Sequence, residues 1–391
     1  MAITLSDVEF LASETGAELL ERLASEDLSE ADTLKLLTDL RRRVSPQQAG
    51  AALEMARLRL KAVEKFGDDA RRMFFTREAL EQASDPLVRR YRSRAARGKQ
   101  ALDVCCGIGS DSLAMAQAGG DVLGLDIDPV RIAIARYNAA ALGLAARFET
   151  ADVRGDLPDT DMAFFDPARR DETGRRIHDV EQYEPPLSLI RNWRYPLIMV
   201  KLSPGVKMEQ LASYGGGIEF ISVNGDLKEA LLWLGSDFTG AKATLLTDTG
   251  EYHWPSALQQ AASHLSEPRS WLVEPDPALL RATLVADVAD AFRGCQLDET
   301  IAYFTTDEQP HSPWLRAWKI LDWMPFHLKR LRIYLRERNV GNITVKKRGV
   351  AMTPEELTAA LKLKGDEART LVLTRCKGKP IVLICENQPA S

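Results

Sequence analysis

Five short β-rich runs, ALDVC, DVLGLD, ARFET, MAFFD and LIMVKL, recur between residues 101 and 202 with helix-like stretches between them. Near-continuous apolar strands that alternate with helices are the signature of a parallel sheet covered by helices on its faces. The runs IEFISV, ALLWLG and ATLLT carry the same texture on to residue 247. Upstream, from residue 6 to 97, apolar residues recur at three and four, as in Leu34, Leu37, Leu40 or Leu53, Ala56, Leu60, which predicts helices only. Ser45-Pro46-Gln47-Gln48 reads as a capping box with proline at the first helical position. Residues 1–97 are therefore expected to form a helical domain and 98–240 an α/β domain. Residues 241–335 read as a Ser-, Pro- and His-rich linker, a small ferredoxin-like α/β segment over 271–306, and a helical stretch through Leu335. Residues 336–391 read as a small α+β module: strand ITVKK, helix PEELTAALKL, strands TLVLTRC and PIVLICE. A chain of 391 residues, 45% of them hydrophobic, suits two or three such domains.

No apolar run approaches the roughly 20 residues of a membrane span. The start MAITLSDVEF has neither a basic leader nor an apolar signal core, so a cytoplasmic location is expected. The five cysteines are odd in number and lack CxxC or Cys/His metal spacing, so reduced thiols and no metal are expected. Net charge is −5, yet two segments are basic. Residues 87–102 carry Arg89, Arg90, Arg92, Arg94, Arg97 and Lys99 without an acid. Residues 329–348 carry Lys329, Arg330, Arg332, Arg336, Arg338, Lys346, Lys347 and Arg348 against Glu337 alone.

The first β-run ends in Asp103-Val104-Cys105-Cys106-Gly107-Ile108-Gly109 and enters a helix, a tight turn of backbone against a ligand. The third glycine of a dinucleotide fingerprint is replaced by Ser112, and an acid, Asp103, stands four residues before the first glycine. That acid disfavours a pyrophosphate and suits a cationic ammonium. Asp126 ends the second run nineteen residues after Gly107, where a carboxylate accepts from both ribose hydroxyls. Asp152 follows the third run, in place to accept from an adenine amine. Asn138 reads as structural.

ALDVCCGIGSDSLAMA followed by LDIDPVRIAIARYNAAALG resembles class I S-adenosylmethionine-dependent methyltransferases, in wording the trimethylguanosine synthases and related RNA methyltransferases. KRLRIYLRERNVGNITVKKRG with the strands after it resembles the C-terminal domain of bacterial methyltransferases described as THUMP-like. The resemblance implies a Rossmann-like fold for 98–240 and S-adenosylmethionine as cofactor, held by Asp103, Cys105, Gly107, Gly109, Asp126, Ile127, Asp152 and Asp166. It places the reaction at Asp166-Pro167-Ala168-Arg169, after the fourth run, with Asp166, Pro167 and Arg169 as its residues. Enzymes that methylate planar nitrogens carry Asn/Asp-Pro-Pro-aromatic there. Asp166-Pro167 keeps the first half, while Ala168 and Arg169 replace the second proline and the aromatic. Arg169 then stacks on a base or binds phosphate. Arg170, Arg175 and Arg176, partly offset by Asp171 and Glu172, crowd the adjoining loop. Lys201, ending VKL, either faces the cleft or snorkels. The two basic segments suit a phosphate backbone, so a base nitrogen in structured RNA, tRNA or rRNA, is the leading substrate. Two alternatives stay open: a protein or metabolite substrate, or a non-catalytic RNA-binding protein.

Overall fold

The computed structural model describes residues 3–169, 174–255 and 263–387. It divides into one unit of residues 1–218 with 228–239 and a second of 219–227 with 240–391.

The first unit opens with helices α1 (Leu5–Ala12), α2 (Glu14–Leu23), α3 (Thr33–Leu40), α4 (Pro46–Phe66), α5 (Arg77–Gln82) and α6 (Pro86–Ser93). The capping box at Ser45 forms in full, its hydroxyl accepting from the Gln48 N–H. The sheet domain follows as β1 (Gln100–Val104), α7 (Ser110–Gln117), β2 (Asp121–Asp126), α8 (Pro129–Leu142), β3 (Ala146–Thr150), β4 (Met162–Phe165) and β5 (Leu197–Leu202). After β6 (Gly217–Val223) comes β7 (Asp226–Leu234). Within this unit the strands lie in the order β3-β2-β1-β4-β5-β7. Strands β1 to β5 are mutually parallel, as expected, and all of them but the edge strand β3 are largely buried. ALLWLG, grouped with the parallel runs by its apolar texture, pairs antiparallel to β5 instead. The parallel order about β1, with an antiparallel strand outside β5, is the Rossmann-like arrangement of class I methyltransferases.

The N-terminal helices share one hydrophobic core with this domain. Leu11, Leu19, Leu53 and Met55 belong to the same buried cluster as Ile108, Ile132, Ala135 and Phe148. Asn138 of α8 is fully buried and structural: its Oδ1 accepts from the Phe74 N–H at 2.6 Å, and its Nδ2 donates to the carbonyls of Phe74 and Ile108 at 3.0 and 3.3 Å.

In the second unit β8 (Gly240–Thr247) and β9 (Gly250–Trp254) form a hairpin. Then follow β10 (Trp271–Pro275), α9 (Pro277–Arg281), α10 (Val285–Ala291), β11 (Cys295–Asp298), β12 (Ile301–Thr306), β13 (Leu315–Pro325), α11 (Leu328–Glu337), β14 (Val340–Lys347), α12 (Pro354–Leu361), β15 (Glu367–Cys376) and β16 (Lys379–Glu386). Their strands form one sheet in the order β11-β12-β10-β13-β16-β15-β14. The helix expected up to Leu335 is shorter than its sequence suggested, because residues 315–325 are the long strand β13, which pairs with both β10 and β16. Along β15, Leu371 and Leu373 face α11 and α12 while Val372 faces the opposite core with Tyr303 and Trp318, the alternation a two-sided buried strand requires. Among the described residues no helix is long and apolar enough to cross a membrane.

Candidate active site

At the carboxyl end of β1 the chain turns through Cys105 (φ 65°), Gly107 (φ 56°) and Gly109 (φ 82°) before α7 begins. A side chain on Gly109 would meet the Phe148 ring and Ala135 at 3.1 Å, whereas the place where a Cβ on Gly107 would sit is open space. Gly109 thus lets the loop pack down, and Gly107 leaves a backbone cradle. Asp126, buried at the end of β2, fixes that cradle: Oδ2 accepts from the Gly107 N–H at 2.9 Å and Oδ1 from the Asp128 N–H at 3.0 Å. The next side chain, Ile127, is 64% exposed, an apolar surface beside the cradle. Asp152 stands past β3, half-exposed and bonded to its neighbour Arg154 at 3.0 and 3.4 Å.

Asp103 is 1% exposed. Its Oδ2 accepts from the Ser112 hydroxyl, while Oδ1 is buried with no hydrogen-bond partner among the described residues. Burial first, and then the neighbouring carboxylate of Asp111, push its pKa up to about 8. A carboxyl raised from its ordinary 3.8 binds a proton in the folded state that the unfolded chain has released. The ligand-free protein is therefore expected to lose stability as pH rises from about 4 to about 8, and to show no further loss from this group above that. Denaturant titrations from pH 5 to 9 check this, because Asp103→Asn should flatten the decline. An unchanged slope would assign it to another group.

At the carboxyl end of β4, Asp166 is partly exposed, Pro167 is buried and Arg169 is half-buried. Lys201 of β5 is 4% exposed and donates from Nζ to Asp166 Oδ2 at 2.6 Å; Arg169 Nη2 stands 3.7 Å from Oδ1. Lys201 therefore faces the Asp166 carboxylate and does not snorkel outward. A lysine interrupting an apolar strand run was the sequence signal for it. The DPAR tetrapeptide is pinned by a second segment: Ala168 and Glu184 exchange backbone hydrogen bonds at 2.9 and 3.1 Å, and the Ile177 N–H donates to the Arg169 carbonyl at 2.9 Å. Tyr183 in that segment is buried beside Arg169 and Asp166, with its pKa raised chiefly by burial. Nothing in the sequence singled it out. Arg175 and Arg176 are exposed, and Arg170, Asp171 and Glu172 lie outside the described residues.

The basic segments are less available than their sequence suggested. Arg92 is 2% exposed, bonded to Asp111 and Glu229 and, at 3.0 Å, to Ser84, with its guanidinium 4.9 Å from the Phe164 ring centre. Arg89 lies over the Phe66 ring and donates to the Lys65 carbonyl. Lys346 and Arg348 both turn to Glu274, at 3.0 and 3.7 Å. Arg90, Arg94 and Arg97, and separately Lys329, Arg330, Arg336, Arg338 and Lys347, are the exposed cations of the two segments.

Residues 101–166 match the family described as methyltransferase domain, residues 315–387 that described as THUMP domain-like, and residues 4–62 a domain of unknown function. Over 334 residues the chain is 35% identical to an uncharacterized S-adenosylmethionine-dependent methyltransferase of Mycobacterium tuberculosis, an alignment covering 83% of this chain and 92% of that protein. The chain belongs to the S-adenosylmethionine-dependent methyltransferases. A 73-residue stretch, 18% of this methyltransferase, is 42% identical to the 23S rRNA (uracil(1939)-C(5))-methyltransferase of Acidithiobacillus ferrooxidans, covering 16% of that protein. The crystal structure of a putative methyltransferase from Porphyromonas gingivalis superposes with a TM-score of 0.77 over 100% of both chains at 19% identity, which shows a shared fold. The residues of the methyltransferase fit its cofactor: a buried carboxyl oxygen with no partner among the described residues, an open glycine cradle and an exposed apolar side chain lie at the ends of β1 and β2. Among the described residues no cluster of three or more His, Cys, Asp or Glu is arranged to hold a metal ion.

Proposed function

We propose that this methyltransferase modifies a base nitrogen in structured RNA, a tRNA or rRNA, and that Asp166 orients that nitrogen. S-adenosylmethionine supplies an electrophilic methyl, so the protein's task is chiefly to align a lone pair with it. The carrying observation is the Asp166 carboxylate at the end of β4, with Oδ2 bonded to Lys201 and Oδ1 beyond hydrogen-bond distance of Arg169. Such a carboxylate accepts an N–H and stabilises positive charge developing on nitrogen. Arg169, half-buried beside it, binds the base face or a phosphate, and Pro167 holds the turn.

For the cofactor, Asp103 meets the ammonium, Asp126 the ribose hydroxyls, Ile127 the adenine face and Asp152 its amine, with Cys105, Gly107 and Gly109 as the backbone cradle. Asp126→Ala is expected to weaken S-adenosylhomocysteine binding by about 2 kcal/mol, more than tenfold, in calorimetric titration. Unchanged affinity in a folded variant would remove Asp126 from the pocket.

RNA is favoured over protein or metabolite by the THUMP-like match and by the relative named for a 23S rRNA uracil. That relative's name also supports a second reading, methylation of a ring carbon. Tritiated S-adenosylmethionine offered to RNA, protein and small-molecule fractions of cells lacking the gene tests both. Label in RNA, recovered on nitrogen after nucleoside digestion, is the expected result; label on carbon supports the second reading, and label confined to protein or metabolites rejects RNA. Exchanging the exposed Lys329, Arg330, Arg336 and Lys347 for Ala should weaken RNA binding and lower its salt slope, leaving cofactor affinity intact. An unchanged slope would move the RNA grip elsewhere.

A further inference from the structure

We propose that Lys201 is the positioning residue of the reaction site: its ammonium sets which oxygen of Asp166 is presented to the substrate. This rests on the reading of Asp166 as the acceptor.

Register brings the two groups together. Strands β4 and β5 pair in parallel with Phe165 opposite Val200, so Asp166 and Lys201 are the next residues of neighbouring strands, at the end where class I sheets carry out their chemistry. Lys201 continues LIMV, a run of apolar residues that is buried from Ile198 onward, and its own side chain is only 5% exposed. An ammonium in such a place is costly unless it is paired. Among the described residues its one hydrogen bond runs to Asp166, at 2.6 Å.

The pairing is one-sided. Asp166 is 24% exposed at its side chain; among the described residues Oδ2 is occupied by Lys201, while Oδ1 has only Arg169, at 3.7 Å. A free carboxylate turns about its terminal bond with a broad, roughly two-fold preference. One anchored on one oxygen from the core side keeps the other facing outward. Lys201 therefore acts through Asp166 without touching the substrate, converting a mobile acceptor into a fixed one, and fixed orientation is what raises the rate of an alignment-limited transfer.

The test is a four-protein cycle of wild type, Lys201→Met, Asp166→Ala and the double variant, with Lys201→Arg as the conservative control. Methyl transfer is read with tritiated S-adenosylmethionine and total RNA from cells lacking the gene. Lys201→Met is expected to lower kcat by about tenfold or more with KM for RNA changed far less. Lys201→Arg should recover most of the loss, and Lys201→Met should add nothing in the Asp166→Ala background. A kcat unaffected by Lys201→Met, or a loss of equal size with and without Asp166, overturns the positioning role. Retained turnover in Asp166→Ala overturns the acceptor reading itself. Thermal unfolding of the same four proteins needs no substrate: a coupling between the two substitutions is expected, and strictly additive shifts would show that the pair does not form.

Discussion

Asp166→Ala should slow methyl transfer by roughly a hundredfold or more while leaving affinities for S-adenosylhomocysteine and RNA nearly as they were, because the lost hydrogen bond strengthens only as charge develops on the nucleophile. The substitution also strands the Lys201 ammonium in the core. Asp166→Asn, which keeps an acceptor for Lys201, separates the chemical from the structural effect. If the Asn variant melts like wild type and turns over as slowly as the Ala variant, the charge of the carboxylate matters and not merely its hydrogen bond. Near wild-type turnover in both would exclude Asp166 from orienting the nucleophile. Arg169→Ala should instead raise KM for RNA, since a stacking or phosphate-binding cation serves ground and transition states alike.

The largest stability effect is expected at Arg92. Its guanidinium is enclosed, and Glu229 on β7 and Asp111 on α7, exposed by only 4% and 14% at their side chains, both depend on it. Arg92→Met would leave two carboxylates without their hydrogen-bonded cation, Asp111 keeping the more distant charges of Lys201 and Arg89, a loss of about 3–5 kcal/mol in urea unfolding. Exchanging Asp111 and Glu229 for Asn and Gln in the same chain should recover part of it, because those amides carry no uncompensated charge. A loss below about 1 kcal/mol would mean that water reaches the network.

Arg92 also shows where reading the sequence stops. A run of cations without acids looks like a polyanion-binding helix, but charge along the chain does not say which side chains point inward; Asp111 and Glu229 lie 19 and 137 residues away. The same holds for Lys346 and Arg348, whose partner Glu274 sits on β10. By contrast β1, β2, β4 and β5 were legible because parallel strands largely buried on both faces leave short, mostly apolar runs, while the exposed edge strand β3 was legible by its place between helices. The glycine turn was legible because Cys105, Gly107 and Gly109 adopt left-handed backbone angles at a strand-to-helix junction. LRAWKILDWMP reads poorly as a strand because the pairing of β13 with β16 shifts register between Ile320 and Asp322, which breaks clean two-residue alternation. Strand β9 leaves little trace in the sequence, since the alternation in GEYHW leaves no residue fully buried. In the reaction site, Asp166 was found by its place after the fourth run. Tyr183 was not, because only the backbone exchange between Ala168 and Glu184 brings its segment to the tetrapeptide.

The contacts of Asn138 bear on how enzymes of this kind diversify. One amide joins the segment at Phe74 to the carbonyl of Ile108, inside the glycine turn, while the helices that precede that segment cover α8. A catalytic sheet fastened in this way is not an interchangeable cartridge. An exchange cut between the helices and β1 would separate donor from acceptor in the bonds between Asn138 and Phe74. Residues 1–97 and the Rossmann-like sheet are thus expected to be inherited as a single block, with drift in one constrained by the other at Phe74, Ile108 and Asn138.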